Sequence, residues 1–189
     1  FSLAQLHMMQ GNYDSVIEFL DRWEKVEEGI VPAKNYLLKA QANYQGKKFA
    51  EALANISKAI KLEADEGKVA AESWYILQRA VYYEMKQPEK VVEVLEQLVK
   101  HYNKPEYWVQ LGSMYGEVGK EKHQLAVMEA AYQQGYVTKA SDIKNLSQLY
   151  VFHGAPVKAG NVLEKAIAGG VVKSNEKNFE FLSQAWVMA

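Results

Sequence analysis

No cysteine occurs among the 189 residues. That excludes a disulfide framework and any thiolate-bound zinc, and it fits an oxidising compartment without establishing one. An excess of positive charge is also missing. The 22 basic residues are balanced by 23 acidic ones, for a net charge of −1, so the chain lacks the basic surplus that neutralises phosphates, and nucleic acid is not its main partner. No apolar run approaches the roughly 18 residues of a membrane span. The opening FSLAQLHMMQ has neither the charged start nor the apolar core of a secretory signal.

Catalytic patterns are absent too. The four histidines, His7, His101, His123 and His153, share no metal-ligand spacing. Phosphate-cradling glycine loops and the nucleophile elbow do not occur. The sequence therefore assigns no catalytic residue, no metal and no cofactor, and a non-enzyme is expected. His7 falls on a packed stripe and reads as a core residue; the other three fall at helix ends and read as solvated. Two glycosylation-type sequons, beginning at Asn55 and Asn145, lie inside predicted helices and read as chance matches.

What the chain does have is apolar content, 49%, enough for a packed core, and a repeat. Trp108, Leu111, Gly112 and Tyr115 stand at i, i+3, i+4 and i+7, one stripe of a helix. Ile143, Leu146, Ser147 and Tyr150 repeat those offsets, as do Phe179, Leu182, Ser183 and Trp186. A second stripe alternates with the first: Val16/Leu20/Trp23, Ala52/Ile56/Ala59, Val91/Leu95/Leu98, Gln124/Met128/Ala131 and Ala159/Leu163/Ala166. Its first members are 36, 39, 33 and 35 residues apart. The period fits a helical hairpin repeated about every 34 residues, and no segment alternates with the strand period.

Punctuation agrees. Pro32, Pro88, Pro105 and Pro156 fall where helices should begin, and nine of the twelve glycines fall between helices. Eleven helices are predicted, near 1–10, 13–27, 33–45, 48–62, 68–85, 88–102, 105–118, 121–134, 139–153, 156–168 and 175–189. Two repeats depart from the pattern. The second has Lys39 and Asn43 where Leu and Tyr are expected. The third opens on Trp74-Tyr75, with a register open by one residue; in one register Arg79 takes the small-residue position. The longest spacing spans KLEADEGKVAAESW, either a helix extension or a loop.

The pattern W-x-x-L-G-x-x-Y from Trp108 to Tyr115 resembles the first-helix signature of the tetratricopeptide repeat, and the likeness extends over the whole chain. It implies an all-α array of about five and a half hairpins over residues 1–189, coiled as a right-handed superhelix. Its first repeat would begin before Phe1, and its last first-helix would lack a second. The chain is thus expected to be a fragment of a longer protein that could self-associate through the incomplete terminal repeat. From Glu72 onward, ESWYILQRAVYYEMKQPEKVVEVLEQLV, the segment from Pro105 to Tyr150 and GAPVKAGNVLEKAI resemble the tetratricopeptide protein that accompanies some TonB energy-transduction systems in Gram-negative bacteria. That likeness implies a periplasmic accessory of iron-chelate uptake, with components of the TonB system as partners; a cytoplasmic location is the alternative.

In this architecture first helices line the concave surface, where partner proteins or peptides bind. Tyr82 and Tyr83 are adjacent, about 100° apart around a helix, so both cannot face the core. The expected contact residues are Tyr75, Arg79, Tyr82 and Tyr83 in the third repeat and Lys144, Gln148 and Phe152 in the fifth. Charge is also uneven: residues 1–33 carry net −4 and residues 34–62 net +5, a gradient able to steer an extended segment. The competing readings are a co-chaperone gripping a C-terminal carboxylate, for which the full Lys/Asn/Arg set is not found, and the helical body of a larger enzyme.

Overall fold

The computed structural model describes residues 2–26, 29 and 31–189. Among them eleven helices form and no strand. Phe1 and Glu27, at predicted ends of the first two helices, lie outside the described residues. The repeat period alone gives one array, whereas the contacts divide the chain into two compact units, 1–102 and 103–189.

The first unit holds α1 (Ser2–Met9), α2 (Tyr13–Val26), α3 (Ala33–Gln45), α4 (Phe49–Asp65), α5 (Glu72–Glu84) and α6 (Pro88–Tyr102). Each helix packs on the next, and α3 also touches α5. The second unit holds α7 (Pro105–Glu117), α8 (Glu121–Gln133), α9 (Ala140–Phe152), α10 (Pro156–Ala168) and α11 (Glu176–Met188), again packed in chain order. Three of the four prolines open a helix and Pro32 precedes one, because the first turn needs no N–H from that position.

The second-helix stripes are the core. All their members are buried except Trp23 and Gln124, which are half-buried. Each fully buried Leu, Ile or Val side chain contributes roughly 1.5–3 kcal/mol over an exposed one. Small residues on a first helix, Gly112 of α7, and on a second helix, Gly160 of α10, let the neighbouring helix close in. A Cβ at Gly112 would lie 2.6 Å from Met128 Sδ on α8, and one at Gly160 would lie 2.7 Å from the Trp186 ring on α11. His7 stacks on Phe19, with centroids 5.1 Å apart, and packs as expected. On α11 the apolar face is only partly covered. Trp186 sits against Gly160, while Phe179, Val187 and Met188 are exposed.

The long spacing contains both alternatives. Helix α4 runs to Asp65, past the predicted 62, and stops at Gly67, whose φ is +72°. Non-helical residues 68–71 then lead to α5, which starts at Glu72 and not at 68. The Tyr102 hydroxyl donates to the Ala70 carbonyl at 2.5 Å and pins this connector to α6.

The turns after α3 and α5 place Lys47 (φ +58°) and Lys86 (φ +55°) in the left-handed region, which costs a residue with a Cβ about 1–2 kcal/mol. Part of that cost is offset by the smaller unfolded-state entropy of lysine compared with glycine. Lys86→Gly is therefore expected to stabilise the first unit by about 0.5 kcal/mol. Urea denaturation checks this; an unchanged or lowered midpoint contradicts it.

The second repeat departs from the pattern for a structural reason. Asn35, Lys39 and Asn43 form a stripe on α3 that is buried, with Lys39 only 5% exposed. The stripe faces the acidic side of α2. Lys39 Nζ pairs with Asp21 Oδ1 at 2.6 Å and Glu24 Oε2 at 2.8 Å, and Asn35 Nδ2 donates to Glu24 Oε1 at 2.8 Å. Burial alone pulls the ammonium pKa down, but Asp21 and Glu24 outweigh it and hold the pKa above the usual lysine value. One hairpin is thus joined to the next through charge rather than through leucine.

Candidate functional site

Burial settles the register of α5. Trp74 and Tyr75 are both buried, but Val81 is fully buried while Tyr82 is only half-buried. The packing stripe is therefore Trp74, Leu77, Gln78 and Val81, equivalent to Ile143, Leu146, Ser147 and Tyr150 on α9. Gln78 occupies the small-residue position and donates to Ser57 Oγ at 3.1 Å. In this register Arg79 and Gln148 hold the same repeat position, five past the opener. Tyr83 and Phe152 hold another, nine past it, and are 67% and 68% exposed.

The candidates thus separate. Tyr83, Lys144, Gln148 and Phe152 are exposed; Arg79 and Tyr82 are half-buried, and Arg79 is already engaged by its surroundings. Tyr75 differs from the rest. It is buried, stacks on His101 at 6.2 Å and meets the edge of Tyr102 at 6.3 Å. Its burial also pushes the phenol pKa up. Its place is in the packing of α5 on α6 rather than on a contact surface. Accordingly Tyr75→Ala is expected to cost about 3 kcal/mol of stability and Tyr83→Ala no more than about 0.5 kcal/mol, both read from chemical denaturation. Equal losses would reverse these assignments.

Histidine placement corrects one expectation. His123 is exposed, but His101 is half-buried against Tyr75, and His153 Nε2 is buried without a hydrogen-bond partner among the described residues. Among the described residues no group of three or more His, Asp or Glu gathers in a metal-binding arrangement.

Lys144 and Gln148 come together in the second unit. They line one side of an open groove of about 370 Å3 between α9 and α11, with Ser141 and Asn145 beside them. Lys177, Asn178 and Phe181 form the other wall, and Leu163 of α10 lines the groove too. The side chains of Lys144, Asn145, Gln148 and Lys177 make no hydrogen bond or ion pair among the described residues. Asn178 is spent on structure, donating to the Lys173 carbonyl at 2.8 Å. The groove holds two cations and no anion.

A second groove of about 290 Å3 lies on the other side of α9, against α7. It is lined by Glu106, Val109 and Gln110 of α7, by Tyr136, Thr138 and Lys139 of the connector, and by Asp142 of α9. Its charge balance is net acidic, two carboxylates against one ammonium.

Sequence reasoning missed Ser141, Asn145, Lys177 and Phe181. A signal for them existed. Ser141 and Lys177 stand two residues before their openers Ile143 and Phe179, and Asn145 and Phe181 stand two after. Positions flanking the opener face the neighbouring first helix, so the offsets that identify the core also identify the groove.

Elsewhere in the second unit, Glu129 of α8, Tyr150 of α9 and Lys158 of α10 tie three helices together. Lys158 Nζ reaches Glu129 Oε1 at 2.5 Å and, with the Tyr150 hydroxyl, holds the Glu129 carboxyl below its usual pKa. Burial, reinforced by Glu129, pushes the Tyr150 phenol far above its own. A depressed carboxyl contributes stability above its unfolded pKa and loses it as pH falls through the folded value. The second unit is therefore expected to weaken below about pH 4.5. Glu129→Gln should flatten that acid limb in a series of denaturation midpoints; an unaltered limb assigns the acid sensitivity elsewhere.

No match was found among protein-family models or curated proteins. Solved structures do share the fold. One is YrrB, a tetratricopeptide protein with an unusual peptide-binding site: 18% identical, covering 98% of this chain and 89% of its own, TM-score 0.58. Another is the C-terminal part of a tetratricopeptide-repeat protein from Cytophaga hutchinsonii, 18% identical, covering 100% and 70%, TM-score 0.57. MamA from Desulfovibrio magneticus RS-1 is 15% identical, covering 92% and 94%, TM-score 0.56. With its hairpin period, its closely packed small residues and these likenesses, the chain has the fold of the tetratricopeptide-repeat proteins.

Proposed function

We propose that this protein is a non-enzymatic scaffold that holds a segment of a partner protein against the first helices of its second unit. The observation that carries this reading is the α9–α11 groove. Lys144, Asn145, Gln148 and Lys177 surround it with hydrogen-bonding capacity not used within the described residues. Polar groups placed around an open cleft, with Phe181 as its apolar contact, fit a ligand that brings both main-chain and side-chain partners. A peptide-binding site on YrrB, which shares the fold, is consistent with the same use here.

A finer reading makes the partner a component of a TonB energy-transduction system in the Gram-negative periplasm. It rests on the sequence resemblance from Glu72 onward. Both levels are tested by placing a photo-crosslinking residue at Gln148 of the full-length protein in its native cells. Adducts at this position that vanish with Lys144→Glu are expected. No adduct above background would sink the scaffold reading for this groove, whereas adducts confined to cytosolic proteins would sink the periplasmic one alone.

A further inference from the structure

The two grooves that flank α9 carry opposite charge. The α9–α11 groove has Lys144 and Lys177 and no carboxylate. The α7–α9 groove has Glu106 and Asp142 against Lys139. Neither Lys144 nor Lys177 has a carboxylate within ion-pair distance among the described residues, so neither charge is neutralised from within the fold. The residues that separate the grooves are neighbours in the chain: Ser141 faces one and Asp142 the other, and the Ser141 hydroxyl donates to Asp142 at 3.1 Å.

From this arrangement we infer that the second unit recognises an extended, charge-polarised protein segment. Its acidic end lies between α9 and α11, and its basic end between α7 and α9. This deepens the scaffold reading and rests on it. Extended chain matches the spacing of the grooves. The grooves lie about one interhelix spacing apart, roughly 10 Å, which an extended chain crosses in about three residues. A leucine or aromatic next to the acidic end packs on the half-buried Phe181. The polarity fixes the direction in which the segment runs, since the reversed placement sets its carboxylates against Glu106 and Asp142 and its cations against Lys144 and Lys177. Direction and partner choice, rather than raw affinity, are what such charge complementarity supplies.

The test uses the whole chain and three end-blocked fluorescent peptides of roughly nine residues. The first carries glutamates and a leucine at one end and lysines at the other. The second has the same composition with alternating charges, and the third replaces every charged residue by glutamine. Anisotropy titrations are expected to rank the polarised peptide first, by about tenfold over the alternating isomer, with the preference fading as salt rises. Lys144→Glu combined with Lys177→Glu should erase the preference; both side chains are exposed, so the fold survives, as circular dichroism can confirm. If the alternating or neutral peptide binds as well as the polarised one, or the double variant keeps the preference, the charge-polarised ligand is overturned while the scaffold reading stands. If none of the three binds and the crosslinker at Gln148 also stays silent, both fall together.

Discussion

Lys39→Leu is expected to lower the stability of the first unit by about 2–3 kcal/mol, although leucine is the residue that the repeat pattern asks for at that position. The ammonium is buried between Asp21 and Glu24. Replacing it leaves two carboxylates close together, one of them also serving Asn35. Breaking one side of a buried ion pair typically costs about 3–5 kcal/mol. The figure here is set lower because Asp21 is half exposed and can rehydrate. Adding Asp21→Asn and Glu24→Gln to Lys39→Leu should recover much of the loss, since it removes the stranded charges. Urea denaturation of the single and triple variants reads this directly. A single variant as stable as the wild type would mean that the ion pair sets no part of the α2–α3 packing. The alkaline side gives an independent sign. Because the Lys39 pKa is raised in the fold, its contribution is fully present below about pH 10.5 and is lost as pH rises through the higher folded value.

The second large effect is expected at Gly160, where α10 and α11 pack most closely. A Cβ there would lie 2.7–3.0 Å from three atoms of the Trp186 indole, a rigid ring that cannot fold aside as a flexible chain would. Gly160→Val should therefore push α11 off α10. Overpacking of this kind costs about 1–3 kcal/mol, only partly offset by the better helix propensity of valine. The α9–α11 groove takes one wall from α11, so the same change should abolish peptide binding while α7 to α9 stay helical. Two measurements on one variant check this, a thermal melt and the anisotropy titration. Lost stability with intact binding would show that ligand contact does not need the α11 wall. Trp186→Ala is the complementary variant. It should lower stability too, and combining it with Gly160→Val should cost less than the sum of the single effects, because the collision is gone.

Several features of the protein follow from its linear pattern. The helical hairpins, their number and most of their boundaries come from offsets of three, four and seven residues and from a period near 36, because a helix shows one face to its neighbours wherever it sits. The core follows for the same reason: Leu20, Ile56, Leu95, Met128 and Leu163 could be assigned from position alone, and all are buried. Lys144 and Gln148 were also legible, since they are offset from a packing stripe and must point elsewhere. Burial of Val81 against half-exposure of Tyr82 fixed the α5 register and moved Tyr75 from the contact surface into the packing. Adjacent aromatics leave that choice open in one dimension. The pairing of Lys39 with Asp21 and Glu24 needed α2 and α3 side by side, because residues 15 and 18 positions apart meet only when two helices pack. The groove arises in the same way. Lys177 is 33 residues from Lys144, and the two become one cationic cleft only when α11, seated by Trp186 on Gly160, lies alongside α9.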